Sequence, residues 1–300
     1  MFTGCGTALV TPFRADTSLD EATLRALVRR QIEAGIDFLV PCGTTGENPT
    51  LTRREHLRVV EITLEEAQGK VPVLAGAGGY NTAEVIELAR EVEALGADGI
   101  LSVTPYYNKP TQEGLYQHYK AVASAVRIPI IVYSVMSRTG VNVLPATLAR
   151  LAEIDNIIGV KEASGNIVQI AQVISQTPAD FLVLSGDDSV TLPLIALGGK
   201  GVISVVANEI PAEMTALVKA CLADDFATAR RLQRRYLPLM EINFIETNPI
   251  PVKSAMALMG LLEPVWRLPM TPPSAASLEK IAAVLRQLGL PVEGRVHVAG

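Results

Sequence analysis

The sequence predicts an α/β fold, a closed (β/α)8 barrel of the TIM type followed by a C-terminal helical extension. Short apolar runs alternate with amphipathic runs as far as residue 225. The apolar runs are rich in Val, Ile and Leu without strict alternation, which is typical of parallel strands buried on both faces. Beyond residue 225 only helical patterns remain. We therefore expect a barrel domain at 1–225 and a helical domain at 226–300.

Eight apolar runs are the candidate strands. An open doubly wound sheet would usually carry a Gly-rich fingerprint after its first strand. The first run here has its glycines entering the strand, so the closed barrel is favoured. In chain order the runs are GTALV, DFLVPC, VPVLAG, DGILSV, IPIIVY, IIGVK, FLVLSG and GVISVV.

The amphipathic runs carry helix start and stop signals. The first opens with Ser18 as a candidate N-cap and Glu21 three residues later, and it ends at Gly35. A later run repeats this layout with Asn81 and Glu84. The helical extension is predicted from FATARRLQRRYLPLMEINF, PIPVKSAMALMGLL and SAASLEKIAAVLRQLG.

Composition narrows the class of protein. With 300 residues and 49% hydrophobic content, the chain can bury a large core. The net charge is −5 and no Lys/Arg run stands out, so neither nucleic acid nor a membrane is an expected partner. Cys5, Cys42 and Cys221 are widely spaced and show no zinc-ligand pattern, so no metal is expected. We read no signal peptide and no membrane helix, and expect a cytoplasmic protein.

The sixth strand run ends in a lysine, Lys161. Chemistry in such barrels lies at the C-terminal ends of the strands. An ammonium is costly to bury there, so one interpretation is a snorkelling lysine or one paired with Glu162. The other is a Schiff-base nucleophile, because burial disfavours the charged form and a neutral amine can attack a carbonyl.

Three other strand ends supply partners for such a nucleophile. The loop that carries Thr44 and Thr45 offers backbone N–H groups and two hydroxyls to a carboxylate. The Tyr133 hydroxyl can move protons, and Arg138 can hold a second carboxylate bidentately. Each of these residues has a structural alternative as a turn, packing or surface residue. As a set they indicate imine chemistry on an α-keto acid such as pyruvate.

The sequence resembles the pyruvate-dependent class I aldolases of the dihydrodipicolinate synthase and N-acetylneuraminate lyase type over essentially its whole length. One run departs from the family pattern, because Ser134-Val135-Met136 stands where the family usually has Asn, a hydrophobic residue and Pro. The matching motifs are GTTGE at 43–47, PYYNKPTQEGLYQHY at 105–119, SRTG at 137–140, IIGVKEASGN at 157–166, LSGDD at 184–188 and NPIPVK at 248–253.

The resemblance implies a catalytic group and an assembly. It implies that Lys161 forms an imine with pyruvate and that no metal or organic cofactor is needed. Tyr133, Thr44 and Tyr107 would relay protons, with Tyr107 reaching into the site of the neighbouring subunit. The family is typically a homotetramer, built as a dimer of tight dimers.

It also implies how substrates bind. Thr45 would bind the pyruvate carboxylate, Gly186 would line the pocket and the Ile203 carbonyl would contact the ligand. Arg138 would receive the carboxylate of aspartate semialdehyde, the second substrate of a synthase in lysine and diaminopimelate biosynthesis. The alternatives are an aldolase that cleaves a 2-keto-3-deoxy sugar acid or 4-hydroxy-2-oxoglutarate, and a non-catalytic metabolite-binding homologue. The cation in SRTG favours the synthase over the sugar-acid enzymes.

A regulatory site is also implied. Feedback-inhibited relatives bind lysine at the tight-dimer interface, and His56, Glu84 and Tyr106 match that site. Four neighbouring positions differ from the inhibited pattern, so we expect weak or absent inhibition by lysine. These positions are Asn48, Pro49, Arg53 and Tyr80.

Overall fold

Eight parallel strands form a single sheet in the computed structural model, which describes residues 1–296 and 298. The strands are Gly4–Ala8 (β1), Phe38–Val40 (β2), Leu74–Gly76 (β3), Gly99–Val103 (β4), Ile130–Ser134 (β5), Ile157–Glu162 (β6), Leu182–Ser185 (β7) and Gly201–Ser204 (β8). Their order is β2-β1-β8-β7-β6-β5-β4-β3, and a parallel bridge from Leu39 to Val73 joins the two ends. The predicted (β/α)8 barrel is confirmed.

Helices follow the strands around the barrel, and the regular elements after residue 222 are all helices, as the sequence predicts. No helix in the described part of the chain is long and apolar enough to cross a membrane. The helices are Glu21–Glu33 (α1), Arg53–Ala67 (α2), Thr82–Ala94 (α3), Gln112–Ala123 (α4), Met136–Thr139 (α5), Pro145–Leu151 (α6), Ile167–Gln176 (α7), Thr191–Ala196 (α8), Pro211–Leu222 (α9), Phe226–Ile242 (α10), Ile250–Leu258 (α11) and Ala275–Leu288 (α12).

Two predicted N-caps have different outcomes. Asn81 caps α3 as predicted, because its side chain accepts a hydrogen bond from the Ala83 N–H at 3.1 Å. The prediction of Ser18 as the cap of α1 is wrong. Asp20 immediately precedes the helix, and its carboxylate accepts from the Thr23 N–H at 3.1 Å. Ser18 instead donates its hydroxyl to Asp16 at 2.6 Å, within the preceding turn.

Two apolar layers hold the barrel together. Alternate strand residues point inward and fill its interior, among them Leu101, Ile131 and Leu184. A larger layer lies between the strands and the helices, and it includes Leu239 of α10 and Ile281 of α12. The C-terminal helices therefore share an apolar core with the barrel. Positions 297, 299 and 300 of the predicted extension lie outside the described residues.

Candidate active site

The ends of β5 and β6 place Tyr133 and Lys161 side by side. The two residues are paired in register, and the Lys161 Nζ lies 4.3 Å from the centroid of the Tyr133 ring. Their exposed fractions are 6% and 5%. The parallel register thus brings an amine and a phenol together in a nearly dry setting, where a proton donor can serve a reaction at the amine.

The residues after this pair point the other way. Ser134 and Glu162 are also paired in register, and strand alternation turns them toward the helix layer. Glu162 accepts hydrogen bonds from the Gln169 side chain at 2.8 Å and from the Ser164 N–H at 3.2 Å. Burial raises the pKa of the Glu162 carboxyl. Glu162 is therefore engaged behind the strand, and the interpretation of Lys161 as its ion-pair partner is wrong.

A cavity of about 550 Å³ opens over Lys161 at the C-terminal end of the barrel. A smaller cavity of about 210 Å³ adjoins it and shares the walls formed by Thr44, Tyr133 and Arg138. Six of the residues predicted from the sequence line the larger cavity: Thr44, Thr45, Tyr133, Arg138, Lys161 and Gly186.

Position 186 at the cavity wall requires a glycine, because a side chain there would collide with its neighbours. A Cβ on Gly186 would lie 2.7 Å from the Cβ of Ala163 and 3.2 Å from the Cε of Lys161. The Gly186 N–H donates to the Glu162 carbonyl at 2.7 Å, which fixes the backbone at this close approach. A glycine is thus needed to leave room for the lysine chain.

The GTTGE turn is tied to a distant segment, NPIPVK. Thr45 is 2% exposed, and its hydroxyl accepts a hydrogen bond from the Asn248 side chain at 3.0 Å. The Asn248 carbonyl in turn accepts from Arg138 Nη2 at 3.1 Å. Asn248 therefore contacts both predicted carboxylate-binding residues. Asn248 belongs to the NPIPVK motif, but no sequence signal marked it as a residue of the site.

A buried ion pair makes a second tie between the same two segments. Lys253 Nζ lies 2.5 Å from Glu47 Oε1, and the two side chains are 0% and 1% exposed. Burial lowers the pKa of Lys253 to about 8, since the loss of solvent outweighs the attraction of Glu47. No pattern in the sequence predicts this contact, because 206 positions separate the residues.

Two predicted residues stand apart from the cavity. Tyr107 is 91% exposed, has a left-handed backbone with φ +65° and lines neither cavity. Ile203 is fully buried in the barrel interior, and Val205, the residue that follows β8, lines the larger cavity instead. Within one chain, the structure therefore assembles the lysine, the threonines, the inner tyrosine and the arginine, but not Tyr107.

A family model described as the dihydrodipicolinate synthetase family matches residues 1–288. The chain belongs to this family. A 4-hydroxy-tetrahydrodipicolinate synthase from Koribacter versatilis is 57% identical over 284 residues, which are 93% of this chain and 95% of that one. The resemblance drawn from the motifs is thus confirmed.

Solved structures of the same family superpose closely on this fold. A dihydrodipicolinate synthase from Aquifex aeolicus has a TM-score of 0.96 and 44% identity, over 98% of this chain and 100% of that one. A chloride-inhibited dihydrodipicolinate synthase from Acinetobacter baumannii, complexed with pyruvate, has a TM-score of 0.95 and 43% identity. That match covers 97% of this chain and 100% of the Acinetobacter chain.

The departure from the family pattern at Ser134-Val135-Met136 leaves Arg138 at the cavity. Met136 is the first residue of α5 and is 55% exposed. The N–H of a first helical residue has no partner within the helix, so proline and methionine both fit this position. The Arg138 N–H donates to the Val135 carbonyl at 3.0 Å, which sets the turn without a proline.

Of the three candidate regulatory residues, Tyr106 lines the smaller cavity, and His56 contacts Gly76 and Asn48, which also line it. Nε2 of His56 is 2.8 Å from the Gly76 carbonyl and Nδ1 is 2.9 Å from the Asn48 side-chain oxygen. Burial lowers the pKa of His56 to about 4, so this ring is neutral at physiological pH. Glu84 accepts from the Asn81 side chain at 2.9 Å. Tyr106 lines the cavity and packs edge-to-face against Tyr80, with the ring centroids 5.2 Å apart.

Metal-ligating side chains are dispersed. Among the residues that the structure describes, no three His, Cys, Asp or Glu side chains come together in a way that could hold a metal ion. Cys5, Cys42 and Cys221 are free thiols and all are buried.

Proposed function

We propose that this chain is a 4-hydroxy-tetrahydrodipicolinate synthase, which condenses pyruvate with L-aspartate 4-semialdehyde on the route to diaminopimelate and lysine. The observation that carries the proposal is the buried Lys161 beside Tyr133, in a cavity that is also lined by Thr44, Thr45 and Arg138. The relatives that share this fold and carry the same name support the assignment.

The reaction begins at the Lys161 amine. The neutral amine attacks the keto carbon of pyruvate, a C–N bond forms, and the former keto oxygen leaves as water after it takes up protons. The imine then withdraws electrons from the adjacent methyl carbon, so that carbon loses a proton and becomes an enamine nucleophile. Tyr133, whose ring centroid lies 4.3 Å from the amine, would carry the proton, and Thr44 lines the same cavity. No metal or organic cofactor is needed, because the imine itself is the electron sink.

The second half joins the two substrates. The enamine carbon attacks the aldehyde carbon, and the new alkoxide takes up a proton. The amino group of the second substrate then attacks the imine carbon and displaces Lys161, which closes the ring. Arg138 stands at the cavity, where it can pair bidentately with the carboxylate of the semialdehyde. Thr45 would hold the pyruvate carboxylate, and the Ile203 carbonyl and Gly186 would bound the ligand.

The position of Tyr107 supports a shared active site. Its hydroxyl would complete the relay of a neighbouring subunit, in a homotetramer built from two tight dimers. The described barrel and helices 226–296 form one unit around a common core, so we propose that catalysis belongs to 1–225 and that 226–300 supports it. The three free cysteines fit a reducing compartment, and we propose that the enzyme works in the cytoplasm.

A paired substrate assay tests the function. The purified protein is given pyruvate with aspartate semialdehyde, and separately a 2-keto-3-deoxy sugar acid or 4-hydroxy-2-oxoglutarate. We expect rapid consumption of the first pair and slow or no cleavage of the others. Faster cleavage of a sugar acid would assign the site to that aldolase class, and no imine with pyruvate would leave only the binding-protein alternative.

A further inference from the structure

The turn that carries Thr44 and Thr45 is held in place from behind, on the side away from the cavity. The Glu47 N–H donates to the Thr44 carbonyl at 3.1 Å, so the turn closes directly on Glu47. Glu47 itself has a left-handed backbone with φ +53°, a conformation that a non-glycine residue adopts only when its surroundings hold it. A side chain with firm contacts is therefore required at this point.

Glu47 has those contacts in the C-terminal helical segment. One carboxylate oxygen receives Lys253 of α11 at 2.5 Å, and the other accepts from the Arg267 N–H at 3.3 Å. The Lys253 ammonium also lies 4.5 Å from the centroid of the Phe13 ring. Every residue of α11 is buried, so the helix is a fixed support for the turn.

A buried ion pair of this kind is a poor source of stability. Removing two charges from water costs several kcal/mol per ion, and their attraction roughly compensates for that loss. A well-packed apolar pair would do as well for folding. What the pair does provide is a fixed distance and direction between the turn and α11. That property matters where hydroxyls must face a reacting lysine, since about 1 Å of misplacement can cost roughly 10²-fold in rate.

We propose that Glu47 and Lys253 are a positioning pair. The pair fixes the position of the 44–47 turn relative to α11, so that Thr44 and Thr45 face pyruvate at Lys161. The inference rests on the proposed function and adds a residue pair to it. The pair acts through the threonines and touches no substrate. Arg138 is bound to the backbone carbonyl of Asn248 and touches the turn only through that residue, so the semialdehyde subsite should change much less than the pyruvate subsite.

Three variants test the pair: Glu47→Gln, Lys253→Met and the double variant Glu47→Gln/Lys253→Met. Each single variant leaves a buried charge without its partner, so its thermal midpoint should fall. The double variant removes both charges, so its midpoint should rise above those of the single variants. If the pair positions the turn, the double variant still shows a KM for pyruvate raised roughly ten-fold, with the KM for semialdehyde within about two-fold.

Two further variants keep the test decisive. Glu47→Asp retains the charge but shortens the side chain by one methylene, so it should fold and still raise the KM for pyruvate. Glu55→Gln is the matched control, because Glu55 also pairs with the C-terminal segment, through Arg267, but lies on α2 outside the turn. It should lower stability without changing the KM for pyruvate.

A double variant with wild-type KM for pyruvate would overturn the proposal, and so would an Asp variant with unchanged KM. If the double variant fails to fold, Glu47→Asp alone decides. Failure of the pair is distinct from failure of the proposed function. In the first case the wild-type protein still condenses pyruvate with aspartate semialdehyde, and in the second case it does not.

Discussion

Two sides of the proposed site are completed in different ways. One side, the turn with Thr44 and Thr45, is fastened to the chain's own C-terminal segment by a hydrogen bond and a buried ion pair. The other side, Tyr107, lines neither cavity of its own chain and is 91% exposed on a left-handed backbone. The first side is completed when one chain folds, and the second side is not.

This difference separates a function that one chain performs alone from one that needs a second chain. Binding of the pyruvate carboxylate requires hydroxyls fixed relative to Lys161, and a single chain can provide that geometry. The exposed phenol suits a site formed with a second copy, because it reaches neither cavity of its own chain and is free to contact another subunit. We therefore expect a substitution in the turn to inactivate the site of its own subunit. A substitution at Tyr107 should instead be complemented by a second subunit that has an intact Tyr107.

The largest loss of turnover is expected at Lys161, on which both sides of the site act. Lys161→Ala should lower turnover by at least roughly 10³-fold, because no other group can form the imine. Circular dichroism should show an unchanged fold, since alanine removes a buried amine without adding volume. The control is Lys120→Ala, an exposed lysine on α4 that should leave the rate unchanged. Substantial activity in Lys161→Ala would remove this residue from the mechanism.

A subunit-mixing experiment tests whether Tyr107 acts in the site of a second subunit. Tyr107→Phe should lower activity by roughly 10²-fold, the usual effect of a missing proton carrier. When this variant and Lys161→Ala are unfolded together and reassembled, mixed dimers contain one complete site. Activity should then recover toward about a quarter of the wild-type value. If the mixture stays as inactive as its parts, Tyr107 does not act across an interface.

Arg138 tests whether the second substrate binds apart from the first. Arg138→Ala should leave imine formation with pyruvate intact and lower kcat/KM for the semialdehyde by roughly ten- to hundred-fold, the loss of one charge-assisted contact. Arg138→Lys keeps the charge but not the bidentate fork, so it should be intermediate. Unchanged kinetics with the semialdehyde would favour the sugar-acid alternative.

Lysine should have the smallest effect. Neutral His56 is already bound to Gly76, and Arg53 is paired with Glu91 at 2.6 Å, so a ligand would have to displace these contacts. Tyr80 packs on Tyr106 where inhibited relatives tend to have a smaller asparagine. Initial rates at saturating pyruvate should therefore fall little with added L-lysine. Strong inhibition at sub-millimolar lysine, matched by heat in a calorimetric titration, would show that the retained residues suffice.

Much of this architecture could be predicted from the sequence. The strands are continuous apolar runs, and their C-terminal ends must meet at one rim of the barrel. Lys161, Tyr133 and Arg138 could therefore be placed together from the sequence alone. The start of α1 was misplaced by two residues, because Ser18 and Asp20 are both good caps and only the path of the turn decides between them.

The fastening of the site could not be predicted in the same way. Glu47 and Lys253 lie in different motifs, and no local periodicity relates residues so distant in sequence. Nor does a pattern distinguish a surface lysine from one that is 0% exposed within a helix of the extension. Likewise, the exposure of Tyr107 depends on the left-handed turn at its own position, for which the adjacent tyrosines give no signal.

The central claim is that Lys161 is the group that binds pyruvate covalently. The direct measurement is reduction of the protein with borohydride in the presence of pyruvate, followed by mass spectrometry of the digested peptides. The account predicts one stable adduct per chain, on the peptide that contains Lys161, and no adduct without pyruvate. A stable adduct on Lys253 or any other lysine, or no adduct at all, would contradict it.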